Sequence, residues 1–155
     1  MSVTTTTHLN FRGDARAALE FYRSVFGGDL VAVTYRDAHS VQHPDEADQI
    51  MWGQVTSPDG FRVMAYDVPG QADPAAPSAP TTRRENGTTI TSEPFFVSVR
   101  GDSVEEVGAL WEGLAAGASV VEPFGPAQWA PAFGMLTDRF GVSWAVNGEP
   151  IPMES

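Results

Sequence analysis

Cysteine is absent from the sequence, which removes disulfides, thiolate metal centres and cysteine nucleophiles from consideration. Basic residues are scarce: 9 Lys and Arg stand against 20 Asp and Glu, a formal net charge of -11, and no basic run gathers locally. Affinity for nucleic acid rests largely on neutralising phosphates, so that class of partner is not expected. No apolar stretch approaches the roughly 18 residues of a membrane span. The opening MSVTTTTHLNF lacks the basic and apolar regions of a secretory signal. The expectation is a cytoplasmic protein with no membrane partner.

What remains is the composition of a folded chain. Hydrophobic residues make up 42% and charged residues 19%, enough apolar content for a core and too much for global disorder. A length of 155 residues suits one domain, or two small half-domains sharing a core. An acidic chain accommodates a neutral or cationic small ligand most easily.

Thr4 to Phe11 alternates His8 and Asn10 with Leu9 and Phe11, the pattern of a strand. Gly13 and Asp14 break it, and Asp14 is placed to cap a helix over Ala15 to Phe26, where Ala18, Phe21, Tyr22 and Val25 form one apolar stripe. Gly27 and Gly28 end that helix. A strand follows at Leu30 to Tyr35, then an acidic stretch from Arg36 to Gln49 that reads as an exposed loop. Its His39 and His43, lying near carboxylates, lack the support that a metal site needs. Ile50 to Thr56 and Phe61 to Val68 form a hairpin through Ser57, Pro58, Asp59 and Gly60. Alternation puts Met51, Gly53, Val55, Phe61, Val63 and Ala65 on one face and Trp52, Gln54, Arg62, Met64 and Tyr66 on the other.

Residues 1–68 thus read as one module. Residues 69–92 are rich in Pro, Ala and Thr and read as a linker or mobile loop. Residues 93–148 repeat the opening pattern, and 149–155 form a C-terminal tail. In the second module Pro94 to Arg100 is a strand, Ser103 with Glu106 makes a capping box, and Val107, Leu110, Trp111 and Leu114 recur at helical spacing up to Gly117. Ser119 to Glu122 reads as a short strand, and Trp129 to Thr137 with Val142 to Asn147 as a closing hairpin. Each half reads strand, helix, strand, strand, strand. Arg12, Gly13 and Asp14 return as Arg100, Gly101 and Asp102, and the tripeptide, element order and closing hairpin together mark an internal repeat.

HLNFRGDARAALEFYRSVFGG resembles the opening helix region of the vicinal oxygen chelate superfamily, in particular its PhnB-like branch. FGMLTDRFGVSWAVN resembles that branch's closing hairpin. The resemblance implies an α+β fold, the glyoxalase/bleomycin resistance fold, in which two βαβββ modules curl a mixed sheet around a cavity with the helices outside. It also implies a homodimer. Leu9, Phe11, Val97, Val99, Trp144 and Val146 then face the helices, while His8, Asn10, Phe96, Ser98, Ser143, Ala145 and Asn147 face the cavity. No glycine-rich nucleotide loop follows the first strand, so methyl transfer has no support.

Enzymes of this superfamily hold a divalent metal through His and Glu from the first and last strands of each module, where it serves as a Lewis acid. Carried over position by position, His8 matches the first, Phe96 falls at the second, and Met64 and Ala145 stand where glutamates are placed. Met64 is a poor ligand for a hard ion and Phe96 and Ala145 are none, so no metal or other cofactor is expected. Members similar to bleomycin-resistance proteins bind a drug without transforming it. The expected function is therefore binding of a small, aromatic organic molecule in a metal-independent cavity. Asn10, Trp52, Gln54, Arg62, Met64, Tyr66, Phe96, Ser98, Gln128, Trp129 and Phe133 are the ligand-binding candidates, and His8 is the candidate acid or base. One alternative is a metal-dependent lyase, isomerase or dioxygenase built on His8. Another is an interaction module using Asp45, Glu46 and Asp48.

Overall fold

Two helices with one apolar face each, and strands that alternate in character, build two separate four-stranded sheets. A computed structural model describes residues 3–70 and 82–148. The chain divides into two compact units, Met1–Ala76 and Pro77–Ser155. The expected C-terminal tail and residues 71–81 lie outside the described residues.

In the first unit, β1 (Thr7–Phe11), α1 (Ala15–Phe26), β2 (Asp29–Thr34), β3 (Ile50–Thr56) and β4 (Arg62–Asp67) follow in order. The sheet order is β1-β4-β3-β2, parallel between β1 and β4 and antiparallel elsewhere. Leu9, Val55, Val63 and Ala65 are buried under α1, which contributes Ala15, Ala18, Leu19 and Tyr22. The buried stripe is therefore turned from the expected one: Leu19 takes the central place, and Phe21 is only half-buried. Gly53 explains the choice, because a Cβ there would collide with Leu19 Cδ1. Burying each such leucine or valine contributes about 1.5–3 kcal/mol.

The cap of α1 is not the expected one. Asp14 makes no side-chain cap bond. Asp67, only 1% exposed at the end of β4, takes its place. Its Oδ1 accepts from the backbone N–H of Gly13 at 2.7 Å and of Ala15 at 3.1 Å, and its Oδ2 accepts from Ile50 N–H at 2.9 Å. The Tyr35 hydroxyl donates to the Asp67 carbonyl at 2.6 Å. One carboxylate thus ties the start of the helix to the start of β3. The acidic stretch before β3 is also less exposed than expected. A single 3-10 turn, Pro44–Glu46, buries Glu46, whose carboxylate oxygens accept from Gly70 N–H at 3.0 and 3.1 Å.

In the second unit, β5 (Arg83–Glu85) and β6 (Thr88–Ile90) form a hairpin ahead of the module proper. Then come β7 (Val97–Gly101), α2 (Val104–Ala115), β8 (Ser119–Ala127), β9 (Ala130–Thr137) and β10 (Ser143–Gly148). Their order, β7-β10-β9-β8 with β7 parallel to β10, repeats that of the first sheet. Trp144, Val146, Leu136, Val107 and Leu114 form the core beneath α2. Ser103 Oγ accepts from Glu106 N–H at 3.1 Å, as the capping box requires. Asp138 fixes the closing turn: Oδ1 accepts from the N–H groups of Phe140 and Val142, and Oδ2 from Trp144 Nε1 at 2.9 Å.

Two expectations change here. β8 runs well past Glu122 and carries Pro123 and Pro126, which an edge strand tolerates because its outer N–H groups need no partner. Its register against β9 shifts three times along its length. The expected linker gives way, over residues 83–90, to the β5–β6 hairpin. Asn86 and Gly87, with φ of 52° and 77°, supply its two-residue turn.

Candidate functional site

The face of the first sheet opposite α1 gathers most of the candidates. His8 lies opposite Met64 and Asn10 opposite Tyr66 across β1 and β4. Met64 in turn lies opposite Gln54, and Arg62 opposite Thr56. Trp52 pairs with Val33 and Gln54 with Val31. Strand register alone therefore makes His8, Asn10, Trp52, Gln54, Arg62, Met64 and Tyr66 one continuous surface. His8 and Asn10 are exposed and the others half-buried. The His8 ring meets Tyr66 edge-on, with centroids 5.1 Å apart and planes at 71°. Gln54 Nε2 donates to Thr56 Oγ1 at 2.7 Å, which orients the amide.

Candidates in the second unit fall into two groups. Gln128 and Trp129 lie in the turn between β8 and β9, and Trp129, 57% exposed, meets Phe133 edge-on at 5.1 Å. Phe96 and Ser98 are kept from them by β10, since β7 is the far edge of the sheet. Phe96 precedes β7 and is exposed.

Register also revises the comparison of the two modules. Ser98, not Phe96, lies opposite Ala145, as His8 lies opposite Met64. Asp67 bonds the start of α1, and Gly148 packs under the start of α2, where a Cβ would lie 3.6 Å from Val104 Cα. The Arg-Gly-Asp repeat is thus displaced by two residues from the structural match.

The face of β9 and β10 opposite α2, on which Ser143 and Ala145 were expected to line a cavity, is filled by the chain itself. Thr82 Oγ1 and Ser143 Oγ lie 3.2 Å apart, and Ser143 Oγ and Thr137 Oγ1 2.9 Å apart. Thr89 Oγ1 donates to Met135 Sδ at 3.3 Å. Arg84 places its Cζ 5.2 Å from the Phe133 ring centroid and donates from Nη1 to Thr89 Oγ1 at 2.9 Å. Phe133, Met135 and Ala145 form a buried cluster at this face, and Ser143 is buried beside it. Arg84 and Thr89 are site residues that sequence reasoning missed. The signal was the Asn86-Gly87 pair, the strongest short hairpin mark there is.

The donor sets do not fit a divalent metal of the kind the superfamily's enzymes hold. His8 has the Met64 thioether across from it, with the Gln54 amide beyond. Ser98 has only the Ala145 methyl. Such groups are poor partners for a hard ion. Among the described residues no group of three or more His, Cys, Asp or Glu is gathered closely enough to hold a metal ion.

Near the first sheet, burial pushes the Tyr35 hydroxyl up from the ordinary tyrosine range, and Tyr66, Asp67 and Glu46 add to the effect. Asp37 is held below the usual carboxylate range, first by the Thr34 N–H, at 3.2 Å from its Oδ2, and then by the Thr34 hydroxyl.

Two successive βαβββ modules, each an open sheet of order 1-4-3-2 with one helix on one face, define a protein of the vicinal oxygen chelate class. The chain belongs to the Glyoxalase/Bleomycin resistance protein/Dioxygenase superfamily, whose family model matches residues 6–146. Protein PA1353 from Pseudomonas aeruginosa is 33% identical, with a TM-score of 0.70 over 96% of this chain and 98% of that one. The PhnB protein from Bacillus cereus is 22% identical, with a TM-score of 0.68 over 94% of this chain and 99% of its own, so the expected PhnB-like resemblance is met in fold. Protein YjdN of Escherichia coli (strain K12) is 25% identical over 146 residues, covering 90% of this chain and 91% of YjdN. Among the described residues no helix is long and apolar enough to cross a membrane.

Proposed function

We propose that this protein binds a small, largely aromatic organic molecule without the help of a metal, and that it does so as a homodimer. The observation that carries the reading is the first sheet's face opposite α1, where Trp52, Met64 and Tyr66 give an apolar floor and His8, Asn10, Gln54 and Arg62 ring it with polar groups. Apolar walls with a few convergent polar groups are what small-molecule sites are made of. Titration of tryptophan fluorescence against a panel of aromatic natural products tests it. The expected response is saturable and is lost in Trp52→Phe. Silence across the whole panel, or about one equivalent of zinc, nickel, manganese or iron per chain in protein purified without chelator, overturns it.

A catalytic reading of the same face is supported by His8, which is exposed among these groups with its ring against Tyr66. If it acts as acid or base, His8→Ala abolishes turnover of a bound compound while changing its affinity by less than about tenfold. The interaction-module reading is weakened by Glu46, which is spent on Gly70 instead of facing a partner.

A further inference from the structure

We propose that Arg84 is the anchor of a carboxylate subsite in the second unit, and that the ligand it takes is a flat, apolar carboxylic acid. This rests on the small-molecule reading above and fixes the charge of the molecule.

The chain carries nine basic side chains, all of them arginine. Neighbouring Arg83 points outward and pairs with Glu85 at 2.9 Å. Strand alternation turns Arg84 inward, over the Phe133 ring. There it has one hydrogen bond, from Nη1 to Thr89 Oγ1, and among the described residues no carboxylate faces it. Its Nε is buried with no hydrogen-bond partner. Arg84 as a whole is half-buried, and a guanidinium partly withdrawn from water without a counter-ion carries a cost to which a buried donor left unmade adds. The chain is rich in acidic residues, so it is informative that none of the described ones pairs with this arginine. None of the described residues supplies the missing acceptor.

The geometry selects its type. Nη1 is already engaged, which leaves the Nε and Nη2 edge, the edge that takes a carboxylate through two parallel hydrogen bonds. Phe133 beneath the guanidinium and the exposed Trp129 set edge-on to Phe133 form one apolar wall. A ring attached to the carboxylate would lie against that wall. Access requires the hairpin that carries both Arg84 and Thr89 to lift from Phe133, which leaves the Nη1–Thr89 bond in place, and a pair of three-residue strands, marginal by itself, gives way readily. The overall charge of -11 favours neutral or cationic ligands at long range, but at this spot the local charge is positive.

Isothermal titration with naphthalene-2-carboxylate, naphthalene-2-carboxamide and acetate separates the contributions. The naphthoate is expected to bind about 10- to 100-fold more tightly than the amide, with acetate weaker than either. Arg84→Gln removes the preference for the acid, and Arg84→Lys, a point charge without the planar edge, restores it only in part. Should Arg84→Gln melt early and bind nothing, the wild type alone decides: added NaCl weakens naphthoate binding and leaves the amide unchanged. Equal affinity for acid and amide overturns the carboxylate subsite while leaving the small-molecule reading standing. A preference for the acid that survives in a folded Arg84→Gln overturns it as well. Binding of neither ring compound overturns the subsite, and the broader panel against Trp52 then judges the reading on which it rests.

Discussion

Asp67 shows what a single residue contributes and why its role was hidden. Local rules assign the cap of α1 to Asp14, because a short polar residue precedes the apolar stripe. The group that caps lies 54 and 52 residues from the N–H groups it accepts, and no spacing rule reaches that far. Asp67→Asn keeps the shape but sets an NH2 against N–H donors, and is expected to cost about 1–3 kcal/mol in urea unfolding. Asp14→Ala is expected to stay within about 0.5 kcal/mol of wild type. Equal costs for the two would sink the assignment. Tyr35, bonded to the Asp67 carbonyl, makes a second prediction. Its folded-state pKa is raised, chiefly by burial, so the native state holds the proton more tightly than the unfolded chain does. The stability this contributes is complete below the ordinary tyrosine value of about 10 and is lost as pH rises through the raised one. Urea midpoints recorded from neutral to strongly alkaline pH should fall more steeply in wild type than in Tyr35→Phe, and parallel curves would refute it.

At the scale of elements, the bounds of α1 were legible, since the break before it and the glycines after it are local signals, although the stripe it buries was not the expected one. The β3–β4 hairpin was legible for the same reason, and its expected faces match the observed pairing. β8 was not, because Pro123 and Pro126 read as breakers until the strand is known to be an edge. The β5–β6 hairpin was lost inside a stretch whose composition reads as linker, although its turn residues were visible. Close approach of helix to sheet was also invisible, and it yields a prediction. A Cβ at Gly134 would lie 2.8 Å from Trp111 Cζ3 and 3.0 Å from the Phe124 backbone Cα, so neither neighbour can withdraw far. Gly134→Ala is expected to lower stability by about 1–3 kcal/mol, the usual cost of overpacking. Gly125→Ala, where a Cβ meets nothing within 4 Å, should be near neutral. Thermal or urea unfolding of the two variants side by side decides it.

For the molecule as a whole, the internal repeat was the most readable feature, and both sheets have the same strand order. The tripeptide that revealed the repeat also misplaced it, since it lies two residues earlier relative to the first strand in the second module than in the first, and Ser98 rather than Phe96 stands in the place of His8. Filling of the second sheet's far face had no signal in that repeat, because the hairpin that fills it belongs to neither copy. Charge was legible from the start, and its consequence is global. The Arg36–Asp48 and Arg83–Glu85 ion pairs are both solvent-exposed, and each such pair contributes at most about 1 kcal/mol. An excess of 11 negative charges on a chain of this size repels itself in the folded state more than in the expanded one. Screening shortens from about 10 Å at 0.1 M salt to about 3 Å at 1 M, which removes most of that repulsion. Raising NaCl across this range should therefore raise the melting temperature by about 2–4 °C, equivalent to about 1 kcal/mol for a chain of this length. Chloride is the right anion for the test, because sulfate stabilises by exclusion from the surface whatever the charge. A fall in melting temperature with NaCl would mean that attractive pairs outweigh the excess, and the acidic surface would then need a structural role rather than a solubilising one.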